Sequence, residues 1–150
     1  MKNRNWAVRL ATLDLPKNSM PGTIGTLFVC IGLQVFCFFN QIISFGVVLP
    51  IISFLLALPI IQIALKSFDE RDPAAICLDE IVGMLVTLCL VTLNFGKVLL
   101  GFCLFRIFDI SKPLGIKKIE QLPGAWGVLL DDVLAGVYAN LILNLILWLC

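Results

Sequence analysis

The chain has 150 residues, 60% of them hydrophobic and 14% charged, with a mean hydropathy of +1.03. Soluble domains carry about 45 to 50% apolar residues, so this is the composition of a membrane protein. A net charge of +1 offers no basic face for nucleic acid, and the absence of histidine removes imidazole from every mechanism.

The amino-terminal segment is basic (Lys2, Arg4, Arg9), but Asp14, Pro16 and Lys17 interrupt the apolar core that a signal peptide needs. Trp6, Arg9, Leu10 and Leu13 suit either a short interfacial helix or a flexible tail. In Pro21-Gly22-Thr23-Ile24-Gly25-Thr26 the proline is well placed to start a helix and the glycine lets backbone approach closely. Free amides and the Thr23 or Thr26 hydroxyl there suit phosphate oxygens, although the segment alone reads equally as an interfacial turn.

No charge occurs over residues 27–65. One crossing needs about 20 residues, so the weak break at Asn40-Gln41 predicts a helical hairpin. A further apolar run, 81–93, turns at Asn94-Phe95-Gly96-Lys97 and returns over 98–110, and Gly124-Ala125-Trp126-Gly127 precedes a last run over 133–150. The expected fold is all-α: a polytopic membrane helical bundle of about five membrane-embedded helices plus a short N-terminal interfacial segment, one domain over residues 1–150. Five cysteines (Cys30, Cys37, Cys89, Cys103, Cys150) lie in apolar runs and Cys77 just before an acidic doublet. Without a CxxC pair they read as small hydrophobes.

With the amino terminus inside, Lys2, Arg4, Arg9, Lys17, Lys66, Arg71, Arg106, Lys112, Lys117 and Lys118 fall at or near the inner side and only Lys97 outside. The same arrangement brings residues 20–26, Asp79-Glu80, Arg106 to Lys112 and Asp131-Asp132 to one membrane face.

The doublets Asp79-Glu80 and Asp131-Asp132 each border an apolar run, and a carboxylate near the bilayer centre costs about 2.5 to 3.5 kcal/mol. Gly83 follows Asp79 by one turn and Gly136 follows Asp132 by one turn, which lets two helix backbones approach and the doublets meet. Arg106 and Asp109 share a helical face at i, i+3, and Lys112 follows before Pro113. Each piece has a plain reading, the doublets as caps against the helix dipole and Arg106 with Asp109 as an ordinary ion pair. Jointly, five acids against two bases would repel a phosphate. Mg²⁺ resolves this, because it favours carboxylate oxygen and keeps positions for water and phosphate; zinc and iron fit poorly without histidine or paired thiolates.

Taken in order, Pro21 to Thr26, Asp79-Glu80-Ile81-Val82-Gly83-Met84, Phe105 to Pro113 and Gly127 to Gly136 resemble the bacterial phosphatidylglycerophosphatase A family over nearly the full chain. The resemblance implies a multi-pass inner-membrane phosphatase, Mg²⁺-dependent and with its site facing the cytoplasm. Its reaction is conversion of phosphatidylglycerol phosphate to phosphatidylglycerol and inorganic phosphate. The partners so implied are that phospholipid and the bilayer; the charge balance points away from nucleic acid, and no protein partner is evident. Two departures stand out: Asp14 to Ser19 replaces glycines upstream of the Pro-Gly-Thr motif, and Gly115 stands where a second proline often occurs. Only Gly22, Thr23 and Thr26 are therefore carried over as substrate contacts.

On this reading Asp79, Glu80, Asp131 and Asp132 hold the metal, Arg106 and Lys112 stabilise charge in transfer, and Asp109 accepts a proton or binds metal. With no histidine, no Cys-x5-Arg and no Asp-x-Asp, water is the expected nucleophile, and an aspartyl intermediate stays open. A CDP-alcohol phosphotransferase would carry a DGxxAR segment with further spaced aspartates, only partly echoed here. A cation or proton transporter would need acids near the midplane, and a non-catalytic scaffold would need no such cluster.

Overall fold

Backbone amides in an apolar surround must find partners within their own segment. In the computed structural model every regular element among the described residues, 6–15, 21–40, 44–68, 73–113 and 115–149, is accordingly a helix. There are seven: α1 (Trp6–Thr12), α2 (Pro21–Asn40), α3 (Val48–Leu65), α4 (Leu78–Leu88), α5 (Phe95–Ser111), α6 (Ile116–Ile119) and α7 (Ala125–Leu149). Lys2, Arg4, Lys17, Met20, Gln41, Arg71 and Cys150, which entered the expectations above, lie outside the described residues, as do residues 16–19.

Of the two readings of the amino terminus, the helix is the one found. Ala7, Val8 and Ala11 of α1 pack with Ala57, Ile61 and Ala64 of α3, while Trp6 and Leu10 face outward. Pro21 opens α2, where its missing N–H costs nothing and its fixed φ suits the first turn. Asn94, read as part of a turn, caps α5 by accepting from the Lys97 amide at 2.9 Å.

α4 and α7 lie at the centre and contribute to both apolar cores. On one side Met84, Leu85 and Leu88 of α4 and Ala135, Ala139 and Leu143 of α7 meet α2 and α5 through Val29, Val98 and Phe105. On the other, Val82 of α4 and Val128 and Leu129 of α7 meet α1 and α3. Their crossing is backbone against backbone. A Cβ on Gly136 would lie 2.4 Å from the Gly83 carbonyl oxygen, and one on Gly83 would lie 2.7 Å from the Asp132 carbonyl oxygen. The Thr87 hydroxyl donates to the carbonyls of Gly83 (3.0 Å) and Gly136 (3.5 Å), tying the two turns together. Asn140 of α7 donates to the Thr87 and Cys89 carbonyls, both at 2.9 Å, which satisfies the orphan end of α4. At the far end of the pair, Gln62 of α3 accepts from the Ala125 amide at 2.9 Å and starts α7.

Two helices, α3 and α7, are long and apolar enough to cross a membrane, so the expectation of about five spans is not reached among the described residues. For α4 and α5 the reason is length. α4 has 11 residues and α5 has 17, which at 1.5 Å each give about 16 and about 25 Å against a hydrocarbon core of about 30 Å. α2 has 20 residues, of which the part with described side chains, Pro21–Phe36, is apolar.

Gly136→Ala is expected to destabilise the chain by about 1 to 3 kcal/mol through overpacking. Gly32→Ala, with nothing within 4 Å of the added carbon, should leave the melting temperature in detergent unchanged or slightly raised. Thermal unfolding of the two variants side by side checks this.

Candidate active site

Four elements present polar groups to one cleft of about 690 Å³: the first turn of α2, the first turn of α4, the last turns of α5 with Lys112, and the second turn of α7. Gly22, Thr23, Asp79, Glu80, Arg106, Asp109, Lys112, Asp131 and Asp132 all line it. The α4–α7 crossing makes this convergence possible, because the two glycines sit one turn below the doublets.

The doublets are built alike. Asp79 Oδ1 accepts from the Glu80 amide at 3.0 Å, and Asp131 Oδ1 accepts from the Asp132 amide at 3.0 Å. Asp79, Asp131 and Asp132 are 6, 3 and 4% exposed. They differ in helical position: Asp79 and Glu80 lie in the first turn of α4, as a cap would, but α7 begins at Ala125 and has no acid in its first turn. Dipole compensation therefore accounts for the first doublet and leaves the second, held inside a helix, without that explanation.

Each cation bridges two acids. Arg106 Nη1 donates to Glu80 Oε1 at 2.9 Å and to Asp109 Oδ2 at 2.7 Å. Lys112 Nζ reaches Asp131 Oδ2 at 2.7 Å and Glu120 Oε1 at 3.1 Å. Burial works against the Lys112 ammonium, but Asp131 and Glu120 outweigh it and hold its pKa above the ordinary lysine value. Lys112 takes left-handed backbone angles (φ 44°, ψ 52°) as the C-cap of α5. A non-glycine residue rarely adopts these, and the resulting turn carries the side chain across to α7.

Glu80 has a second neighbour. A Cβ on Gly22 would lie 1.7 Å from Glu80 Oε1, so this carboxylate rests on the opening turn of α2, where a negative charge is favoured. Thr26 is the predicted contact that the cleft does not include. It is fully buried, and its hydroxyl donates to the Gly22 carbonyl at 2.8 Å, bracing the turn. Sequence reasoning missed Glu120, whose link to Lys112 passes through the left-handed Gly115 and shows no periodicity. It also missed the walls Pro73, Ala74, Ile76, Phe102 and Ile110. Burial, reinforced by Asp79 and Glu80, pushes the Cys77 thiol up to about 12, which disfavours the thiolate.

The donor set fits a hard cation. Five carboxylates face two cationic side chains, and all the candidate ligand atoms are oxygens. Among the described residues no three acids or thiols form a metal cage by themselves. Mg²⁺ does not require one, since it is usually held by one or two carboxylates together with waters and substrate phosphate.

Comparison with known proteins bears on this cleft. Residues 7–147 match the family described as phosphatidylglycerophosphatase A. A Bacteroides thetaiotaomicron protein named "Putative phosphatidylinositol-3-phosphatase" is 44% identical over 87 residues, 56% of this chain and 55% of that protein. Proteins named phosphatidylglycerophosphatase A from Haemophilus influenzae and Escherichia coli are 39% and 37% identical, over 48% and 54% of this chain and 45% and 48% of their own lengths. The chain spans about half the length of the curated relatives it matches. No solved structure matches it.

Lys112→Met removes the ammonium beside the nearly buried Asp131, and breaking such a pair costs about 3 to 5 kcal/mol. Unfolding in detergent should show a large loss for Lys112→Met and substantial recovery when Asp131→Asn is added.

Proposed function

The chain belongs to the phosphatidylglycerophosphatase A family, and on that premise we propose that it is a membrane-embedded phosphatase that hydrolyses phosphatidylglycerol phosphate to phosphatidylglycerol and inorganic phosphate, with Mg²⁺, at the cytoplasmic face of a bacterial inner membrane. The observation that carries the reading is the meeting of both acidic doublets, Arg106, Asp109 and Lys112 in one cleft that also includes Gly22 and Thr23. The basic residues described above support the orientation.

In this scheme Asp79, Glu80, Asp131 and Asp132 would hold the ion. Asp132 is the member that no cation engages among the described residues. A bound Mg²⁺ offsets the charge of the phosphate and acidifies water. Arg106 and Lys112, pre-oriented by their carboxylate partners, take the phosphoryl oxygens and stabilise the charge that develops on them. The turn at Gly22 and the Thr23 hydroxyl contact the same phosphate. Asp109, held at 2.7 Å from Arg106, receives the proton of the attacking water. Oxygen of that water then bonds to phosphorus as the bond to the glycerol oxygen breaks, and the released alkoxide takes that proton from Asp109.

A second headgroup is supported by the likeness to the protein named for phosphatidylinositol 3-phosphate. The ratio of kcat/KM for the two lipids decides between them.

Asp79→Asn, Asp131→Asn and Arg106→Ala should each lower phosphate release in detergent by about a hundredfold or more, with helical content retained by circular dichroism. Normal turnover in all three would sink the assignment, and full activity in excess EDTA would remove Mg²⁺ from it.

A further inference from the structure

A second cavity, of about 280 Å³, runs between α2 and α5, lined by Leu27, Ile31 and Gln34 on one side and Val98, Leu99 and Phe102 on the other. It adjoins the acidic cleft. Phe102 lines both, and α2 provides a wall of each, the cleft with its first turn and the groove with the turns that follow. Leu27, Ile31 and Leu99 are 41, 63 and 51% exposed, so the groove is open along its side.

One polar group interrupts this apolar lining. Gln34 Nε2 is buried and finds no hydrogen-bond partner among the described residues. A buried donor left without an acceptor costs about 1 to 3 kcal/mol, which a leucine at this position would avoid. An occupant that suits the groove is therefore apolar over most of its length and carries an uncharged acceptor.

We propose that the groove binds an acyl chain of the glycerolipid substrate, with Gln34 Nε2 donating to the ester carbonyl. The identity of the headgroup rests on the phosphatase reading above; the groove's own chemistry, hydrocarbon plus one carbonyl, does not. The spacing agrees. Gly22 and Gln34 are twelve residues apart on one helix, about 18 Å at 1.5 Å per residue. In phosphatidylglycerol phosphate about twelve bonds separate the terminal phosphorus from an acyl carbonyl oxygen, roughly 15 Å when extended at single-bond lengths near 1.5 Å. The flexible side chain of Gln34 spans the difference.

The test uses the full chain in detergent, with native mass spectrometry counting retained dioleoyl phosphatidylglycerol and its di-ether counterpart, which lacks the carbonyls. Wild-type protein should hold the ester lipid roughly fivefold more tightly, the worth of one neutral hydrogen bond. Gln34→Leu should lose that preference while its melting temperature rises, a combination that a merely structural glutamine does not produce. Leu99→Trp, which fills the groove, should weaken retention of both lipids about tenfold relative to Leu145→Trp on the exposed face of α7. Equal retention of ester and ether lipid by the wild type, or an ester preference that survives Gln34→Leu, overturns the carbonyl assignment; Leu99→Trp binding like Leu145→Trp overturns the groove. Phosphate release is measured on the same samples, so that loss of hydrolysis with the lipid preferences intact counts against the phosphatase reading and upholds this one.

Discussion

The close crossing of α4 and α7 is the constraint on which the rest of the structure depends. Two helices come within backbone contact only where side chains are absent, and Gly83 and Gly136 provide that place. Each stands about one turn from an acidic doublet, so the contact that brings the backbones together also brings Asp79-Glu80 and Asp131-Asp132 to one cleft. Thr87 and Asn140 lock the register with hydrogen bonds between the two helices. The remaining helices flank this pair, α2 and α5 on one side and α1 and α3 on the other.

Holding several carboxylates together in an apolar protein works against folding, and the structure offsets it in two ways. Arg106 and Lys112 each bridge a pair of acids, and the opening turn of α2 receives Glu80. Negative charge remains in excess, which on the proposed reading a divalent cation would offset. The two cations that hold the arrangement in shape are those that a phosphate would engage on the proposed reading, so ordering and recognition would draw on one set of side chains. Apolar surface continues from this cleft between α2 and α5, which joins a charged end to a hydrocarbon end within one molecule as an amphiphile does.

Much of the site was legible in the residues. An ionic side chain in an apolar run must be compensated, and nine of the ten residues singled out on that ground and by family resemblance line the cleft. Thr26 lies outside the cleft because a hydroxyl near a motif can bond to its own helix: its proton goes to the Gly22 carbonyl one turn back. Glu120 escaped notice because its approach to Lys112 depends on two left-handed residues, Lys112 and Gly115, whose effect on chain direction no periodicity records. Gln34 was invisible for a related reason. A single amide in a long apolar helix carries no pattern, and its isolation is a property of its neighbours.

The sequence by itself determined that the chain is helical and apolar, where its helices α2, α3 and α5 fall, and which ionic side chains line the cleft. Those follow from local rules: backbone hydrogen bonds must close within a segment, proline and asparagine mark helix starts, and charge is scarce where burial is expensive. The tertiary structure alone decided how long α4 and α7 are. α4 ends where Asn140 of another helix takes its carbonyls, and α7 begins six residues before its acids because Gln62 of α3 accepts the Ala125 amide. It also decided which carboxylate meets which cation, since those partners lie up to 26 positions apart and only packing determines a distance across the chain.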